Sequence, residues 1–177
     1  MNTYNEINEG NIIAKKMFCF LLAALLPFLL IIVIYVINPT SDILNDIALK
    51  TIEFPAIYSS KSPLLSKVMD VYVKTSPFVA IFLFLNTYKS LRLKREKSEW
   101  YLLRVSFLFT FFYAILIYLF LCTDTELTSS AKMLKLMSVN DFFLSFFYIS
   151  LYSIVFMFTY LYLWFCIGTF RAFKERW

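Results

Sequence analysis

Histidine is absent from all 177 residues. Imidazole base catalysis, Cys/His nucleophile pairs and mixed Cys/His zinc sites are thereby excluded. Cysteine occurs only at positions 19, 122 and 166, each within or at the end of an apolar stretch. An odd number of widely separated cysteines argues against a disulfide framework and for ordinary packing residues. Glycine occurs only at positions 10 and 168, so no GxxxG motif can bring helix backbones together. Carboxylates are missing from the middle of every long apolar run; Asp70 and Asp141 stand only at the ends. An ion or proton carrier needs such groups near the bilayer centre, and no paired inverted halves are visible either. With neither base, nucleophile nor metal cluster, an intramembrane enzyme is hard to build. No cofactor, metal or small-molecule substrate is expected. The net charge of +5 resides in basic segments flanking apolar runs and calls for no nucleic-acid partner.

What the chain does have is hydrocarbon. Apolar residues make up 60% and aromatics 20%, more than a soluble domain of this size can cover with polar surface. Four apolar stretches follow one another, at residues 17–37, 71–91, 105–122 and 142–170. A run of about 20 residues spans a hydrocarbon core of ~30 Å as a helix, the default where no water pairs the backbone. The sequence therefore predicts one all-α integral-membrane domain over residues 1–177, a four-helix transmembrane bundle. The fourth stretch has no charge over 29 residues and has room to tilt. The second is uncharged only over residues 75–88, so it must include residues 71–74 with Lys74 snorkelling outward. Lys15 and Lys16 precede the first run as in a signal peptide, but no small-x-small site follows, and that run is read as a retained span.

Basic residues orient the bundle. Lys15 and Lys16, the 89–104 link with Lys89, Arg92, Lys94, Arg95, Lys97 and Arg104, and the tail with Arg171, Lys174 and Arg176 fall on one side. Eleven of the seventeen basic residues lie there and six on the other. The positive-inside rule makes that side, with both termini, cytoplasmic. In the first outward link Ser41 is placed to cap a short helix whose Ile43, Leu44, Ile47 and Ala48 share a face. In the second, Met133, Leu134, Leu136 and Met137 alternate with Lys132 and Lys135. Both segments are expected to rest on the lipid surface.

Polar stripes mark the spans. Ser145, Tyr148, Tyr152, Phe156, Thr159 and Tyr160 share one side of the fourth, Ser106, Thr110, Tyr113 and Ile117 of the third, and Thr75, Val79, Phe82 and Asn86 of the second. Such stripes either pack the spans together or receive a foreign helix; each intramembrane polar bond contributes about 0.6–2 kcal/mol. At the outer end of span two, Asp70 is spaced to pair with Lys67 or Lys74. Function by physical contact within the bilayer is what remains. A small accessory subunit or a transporter-like protein stays open as an alternative.

Two segments carry a family resemblance. Residues 62–78 (Ser62-Pro63-Leu64-Leu65-Ser66-Lys67-Val68-Met69-Asp70 through Pro77-Phe78) resemble the outer loop and second span of immunity proteins against pore-forming colicins of the colicin A class. Glu126-Leu127-Thr128, Leu136-Met137, Asn140-Asp141 and the run 147–156 resemble the segment around that family's last span. The resemblance implies a stoichiometric inhibitor in the bacterial inner membrane, without turnover. Its partner would be the membrane-inserted pore-forming domain of a cognate colicin, among colicins A, B, U and their relatives, which it keeps from opening. On that reading Ser106, Thr110, Tyr113, Ser145, Tyr148, Tyr152 and Thr159 are candidates for toxin contact. Lys67, Asp70, Lys74, Glu126, Asn140 and Asp141 either orient the bundle and select the partner or hold the loops to the rim.

Overall fold

A computed structural model describes residues 2–90, 99–130 and 132–174. Arg92, Lys94, Arg95 and Lys97 of the basic link, Leu91 at the expected end of span two, and Arg176 lie outside the described residues. The described chain is mostly helical. In order it forms α1 (Asn2–Ile37), α2 (Asp42–Lys50), β1 (Ile57–Tyr58), α3 (Pro63–Val73), α4 (Ser76–Thr87), α5 (Glu99–Leu121), β2 (Thr125–Glu126), α6 (Lys132–Met137) and α7 (Asp141–Lys174). Four helical stretches are long and apolar enough to cross a membrane: Asn11–Ile37, Pro63–Thr87, Trp100–Leu121 and Asp141–Arg171.

The second crossing differs from the expected 71–91. It starts at Pro63 and is built from two helices, α3 and α4, with a break at Lys74 and Thr75. Pro77 explains the break: its nitrogen carries no hydrogen and its ring crowds the carbonyl four residues back. Turn-type bonds from Thr75 N to Tyr72 O (3.0 Å) and from Phe78 N to Thr75 O (3.1 Å) carry the chain across. Pro63 stands at the start of α3, where its missing N–H costs nothing. Pro27, by contrast, lies inside α1 and leaves the Ala23 carbonyl without its amide partner. The next carbonyl, that of Ala24, accepts a hydrogen bond from the Tyr72 hydroxyl at 2.7 Å, which ties α1 to α3 there.

The packing centres on α7, which touches α1, α3, α4, α5 and α6. Its buried side presents Leu144, Tyr148, Leu151, Tyr152, Val155, Phe156 and Tyr160. Three rings lock α1, α3 and α7 together. Tyr72 stacks on Tyr152 with centroids 5.3 Å apart and planes 6° apart, and Phe28 meets both edge-on. Such aromatic pairs add about 0.5–1.5 kcal/mol each beyond the area they bury. With glycine nearly absent, interlocking large side chains do the work that close backbone approach does in small-residue interfaces. α5 uses one side only, through Leu116, Tyr113 and Ile117, and its other faces are exposed.

The link between the first and second spans is joined to the link between the third and fourth. β1 and β2 form a two-residue parallel pair, Ile57 opposite Thr125 and Tyr58 opposite Glu126. The expected short helices exist as α2 and α6. Ser41 precedes α2, but its side chain makes no capping bond. Of the expected apolar face, Leu44 turns inward, whereas Ile43 and Ile47 are exposed.

Candidate functional site

One end of the bundle is built around the backbone of residues 56–59. Strand pairing turns the carbonyls of Ala56 and Tyr58 toward β2, where the Thr125 and Leu127 amides donate to them at 3.1 and 2.9 Å. The polar groups of Ile57 point the other way, into the helices, because successive residues of a strand alternate. Its amide donates to Asp70 Oδ1 at 3.2 Å, and its carbonyl accepts from the Tyr148 hydroxyl at 2.6 Å. The Ala56 amide donates to Asp124 Oδ1 at 2.7 Å, and the Ser59 amide to Ser66 Oγ at 3.1 Å. A non-helical segment packed against apolar helices needs such groups paired, and side chains from α3 and α7, with Asp124 just before β2, supply what the strand pairing does not.

The lysines complete this clasp. Of the two partners the spacing allowed, Asp70 takes Lys74, one turn on, in an ion pair whose carboxylate is fully buried. The Lys74 ammonium also donates to the Pro55 carbonyl. Lys67 turns instead to the Phe54 carbonyl at 2.7 Å. On the other flank Ser62 donates to the Asp141 carboxylate. Asn140 caps α7, its Oδ1 accepting from the amides of Phe142 (2.8 Å) and Phe143 (3.0 Å). Glu126 is bonded by Thr128, which also meets Ser60 at 2.8 Å. The Thr128 hydroxyl first, then that of Ser60, holds the Glu126 carboxyl below the usual range. All six residues that the sequence singled out as lying at the ends of the spans thus fall on one rim of the bundle. Lys67, Asp70 and Lys74 converge on residues 54–57, Asn140 and Asp141 on the start of α7, and Glu126 on the turn after β2.

The candidate contact residues divide. Ser145, Tyr148, Tyr152 and Thr159 are buried against neighbouring elements and form no exposed stripe. A partner reaches them only by displacing a helix or the clasp. Tyr113 is half-buried: its hydroxyl meets Thr159 Oγ1 at 2.9 Å, and its ring stacks on Tyr162 at 4.4 Å. Ser106 lies about two turns before it on the same side of α5, partly covered. Thr110 alone of the seven is exposed, with its hydroxyl bonded back to the Ser106 carbonyl at 2.8 Å. On either side of Thr110, Phe107, Phe111 and Tyr118 leave α5 more than half exposed.

Asp124, Ser62 and Ser66 belong to the clasp, yet sequence reasoning gave them no role. A lone aspartate in a loop carries no signal until the strand it serves is known. Asn140 did carry one, as an Asn immediately before an acidic residue and an apolar helix.

The sequence pattern of the family described as Colicin immunity protein matches residues 40–177. The Colicin-A immunity protein of Citrobacter freundii is 36% identical over 176 residues, covering 99% of each chain. The Colicin-B immunity protein of Escherichia coli is 31% identical over 160 residues, 90% of this chain and 91% of that one. The Colicin-N immunity protein of Escherichia coli is 41% identical over 97 residues, 52% of this chain and 74% of that one. No solved structure gives a significant match.

Proposed function

The chain belongs to the colicin immunity protein family, and we propose that it protects a colicin-producing cell by holding its cognate toxin's pore-forming domain closed. Full-length similarity to the Colicin-A immunity protein is the observation that carries this reading. It takes the place of the accessory-subunit and transporter-like alternatives. The protein resides in the bacterial inner membrane as one four-span domain, with both termini cytoplasmic and the β1–β2 clasp outside. It acts as a stoichiometric inhibitor without turnover.

The contact is made inside the bilayer. A voltage-driven channel gains ~2.3 kcal/mol per charge per 100 mV on opening. Moving it from 99:1 open to 1:99 requires about 5.5 kcal/mol of preference for the closed form. The outward face of α5 is the surface suited to supply it: Phe107, Phe111 and Tyr118 offer aromatic packing, with Thr110 beside them as a polar point. Ser106 and Tyr113 edge that face. Thr159, Tyr148 and Tyr152 act from behind, by fixing α7 against α5, the clasp, and α1 with α3 respectively, and Ser145 is buried at the start of the same helix. Lys67, Asp70, Lys74, Glu126, Asn140 and Asp141 hold the outer cap in the shape against which a toxin is selected.

Challenging cells that express the chain with a panel of purified pore-forming colicins tests this. Protection against one toxin and not its relatives is expected. Sensitivity to the whole panel, at a verified protein level in the membrane, removes the reading. A reporter-fusion map tests the termini separately.

A further inference from the structure

Beside the clasp a groove of ≈ 440 Å³ runs between the end of α2, the following loop and the first turns of α3. Its walls include Leu49, Ile52, Phe54 and Leu64, and two charged side chains, Lys67 and Asp124, line it as well. We propose that this groove holds one zwitterionic phospholipid, with an acyl chain along Leu49, Ile52 and Leu64, its phosphate on Lys67 and its ammonium facing Asp124.

Place, shape and charge each contribute. Pro63, Leu64 and Lys67 are the first residues of a helical stretch able to cross the membrane, so the groove opens where headgroups meet hydrocarbon. Leu49, Ile52 and Phe54 are 66%, 69% and 57% exposed. Such a wall is unfavourable in water; an acyl chain covers it. The volume lies within the range of about 300–1,000 Å³ of sites that take small organic ligands. The Lys67 ammonium makes one hydrogen bond, to Phe54 O, and an ammonium has three donors. The Asp124 carboxylate uses Oδ1 for the Ala56 amide, is exposed, and lies close enough to Lys67 to act on its charge, so that one dipolar headgroup reaches both. One cation and one anion in the same groove match a headgroup carrying both signs better than a purely anionic one.

The full chain, purified in mild detergent, is exposed to an equimolar mixture of phosphatidylethanolamine and phosphatidylglycerol, and retained lipid is measured by native mass spectrometry. One bound phosphatidylethanolamine, in excess over phosphatidylglycerol, is expected. Lys67→Met should lower retention of both lipids about tenfold, the value of one hydrogen bond to a charged group. Asp124→Asn keeps an acceptor for the Ala56 amide and should abolish the preference between them. Leu64→Trp fills the groove and should release the lipid. If that variant folds poorly, by circular dichroism, the two charge variants decide. Equal retention by the wild type, Lys67→Met and Asp124→Asn overturns the proposal, as does a preference for phosphatidylglycerol. So does a wild type that binds no lipid while a pore-forming domain protects Leu49 and Leu64 from exchange, because the occupant is then the toxin.

Discussion

Replacing Tyr148 by phenylalanine removes one oxygen and leaves the ring in place. That oxygen is buried and donates to the Ile57 carbonyl at 2.6 Å. No cavity forms, so the whole effect falls on a buried carbonyl that loses its partner. Such an orphaned group costs about 1–3 kcal/mol, and the cost is borne by the docking of β1, not by the bundle. An opening of β1 releases the amides of Thr125 and Leu127, which donate to Ala56 and Tyr58. At 1.4 kcal/mol per decade, the open population should rise about fivefold to a hundredfold. Hydrogen exchange in lipid nanodiscs reads this directly, as faster exchange at Thr125 and Leu127 with α7 amides near Val155 unchanged. Tyr118→Phe, at a position 61% exposed, serves as control. Unchanged exchange at Leu127 in Tyr148→Phe would refute the idea that this hydroxyl anchors the strand.

Other consequences follow from the same geometry. Asp70→Asn keeps an acceptor for the Ile57 amide but leaves the Lys74 ammonium without its counter-charge. Breaking a buried pair on one side costs roughly 3–5 kcal/mol, and Asp70→Asn combined with Lys74→Met should recover much of that loss in denaturant titrations. On α5, Phe111→Ala and Thr110→Leu should reduce protection against the cognate toxin while the protein remains at wild-type level in the membrane; loss of protection accompanied only by loss of protein would count against the docking face. Glu126 titrates below its ordinary value because of Thr128 and Ser60. A carboxyl lowered on folding stabilises fully above its unfolded value and ceases to do so as pH falls through the folded one. Exchange at the β2 turn should therefore be pH-independent near neutrality and accelerate only in acid, after correction for intrinsic rates, and Glu126→Gln should remove that dependence.

The first, third and fourth spans were legible because each carries enough uncharged sequence to satisfy the bilayer rule without help from its neighbours. The position of α4 was legible too, and with it the last turn of α3, but not where α3 begins: charged Lys67 and Asp70 keep the expected span from starting before residue 71 until their partners at residues 54–57 are seen. The β1–β2 pair left no trace in the sequence. Each strand has two residues, the pairing is parallel, and Ile57 and Thr125 stand far apart, so no turn or alternation announces it. The polar stripe of α7 was visible as a periodicity, yet periodicity gives a face and not its direction. Tyr148 and Tyr152 read equally well as docking residues, and only the rings of Phe28 and Tyr72 and the Ile57 carbonyl show that they face inward.

The central claim concerns gating, and conductance measures it. In proteoliposomes containing the purified chain in the expected orientation, the pore-forming domain of the protected-against colicin is added at equal molar amount and a potential of about 100 mV is applied. The account predicts that inserted toxin is present but conductance falls about a hundredfold relative to liposomes without the chain, as a shift from 99:1 open to 1:99 requires. Full conductance from inserted toxin, with the immunity protein folded beside it, would contradict it.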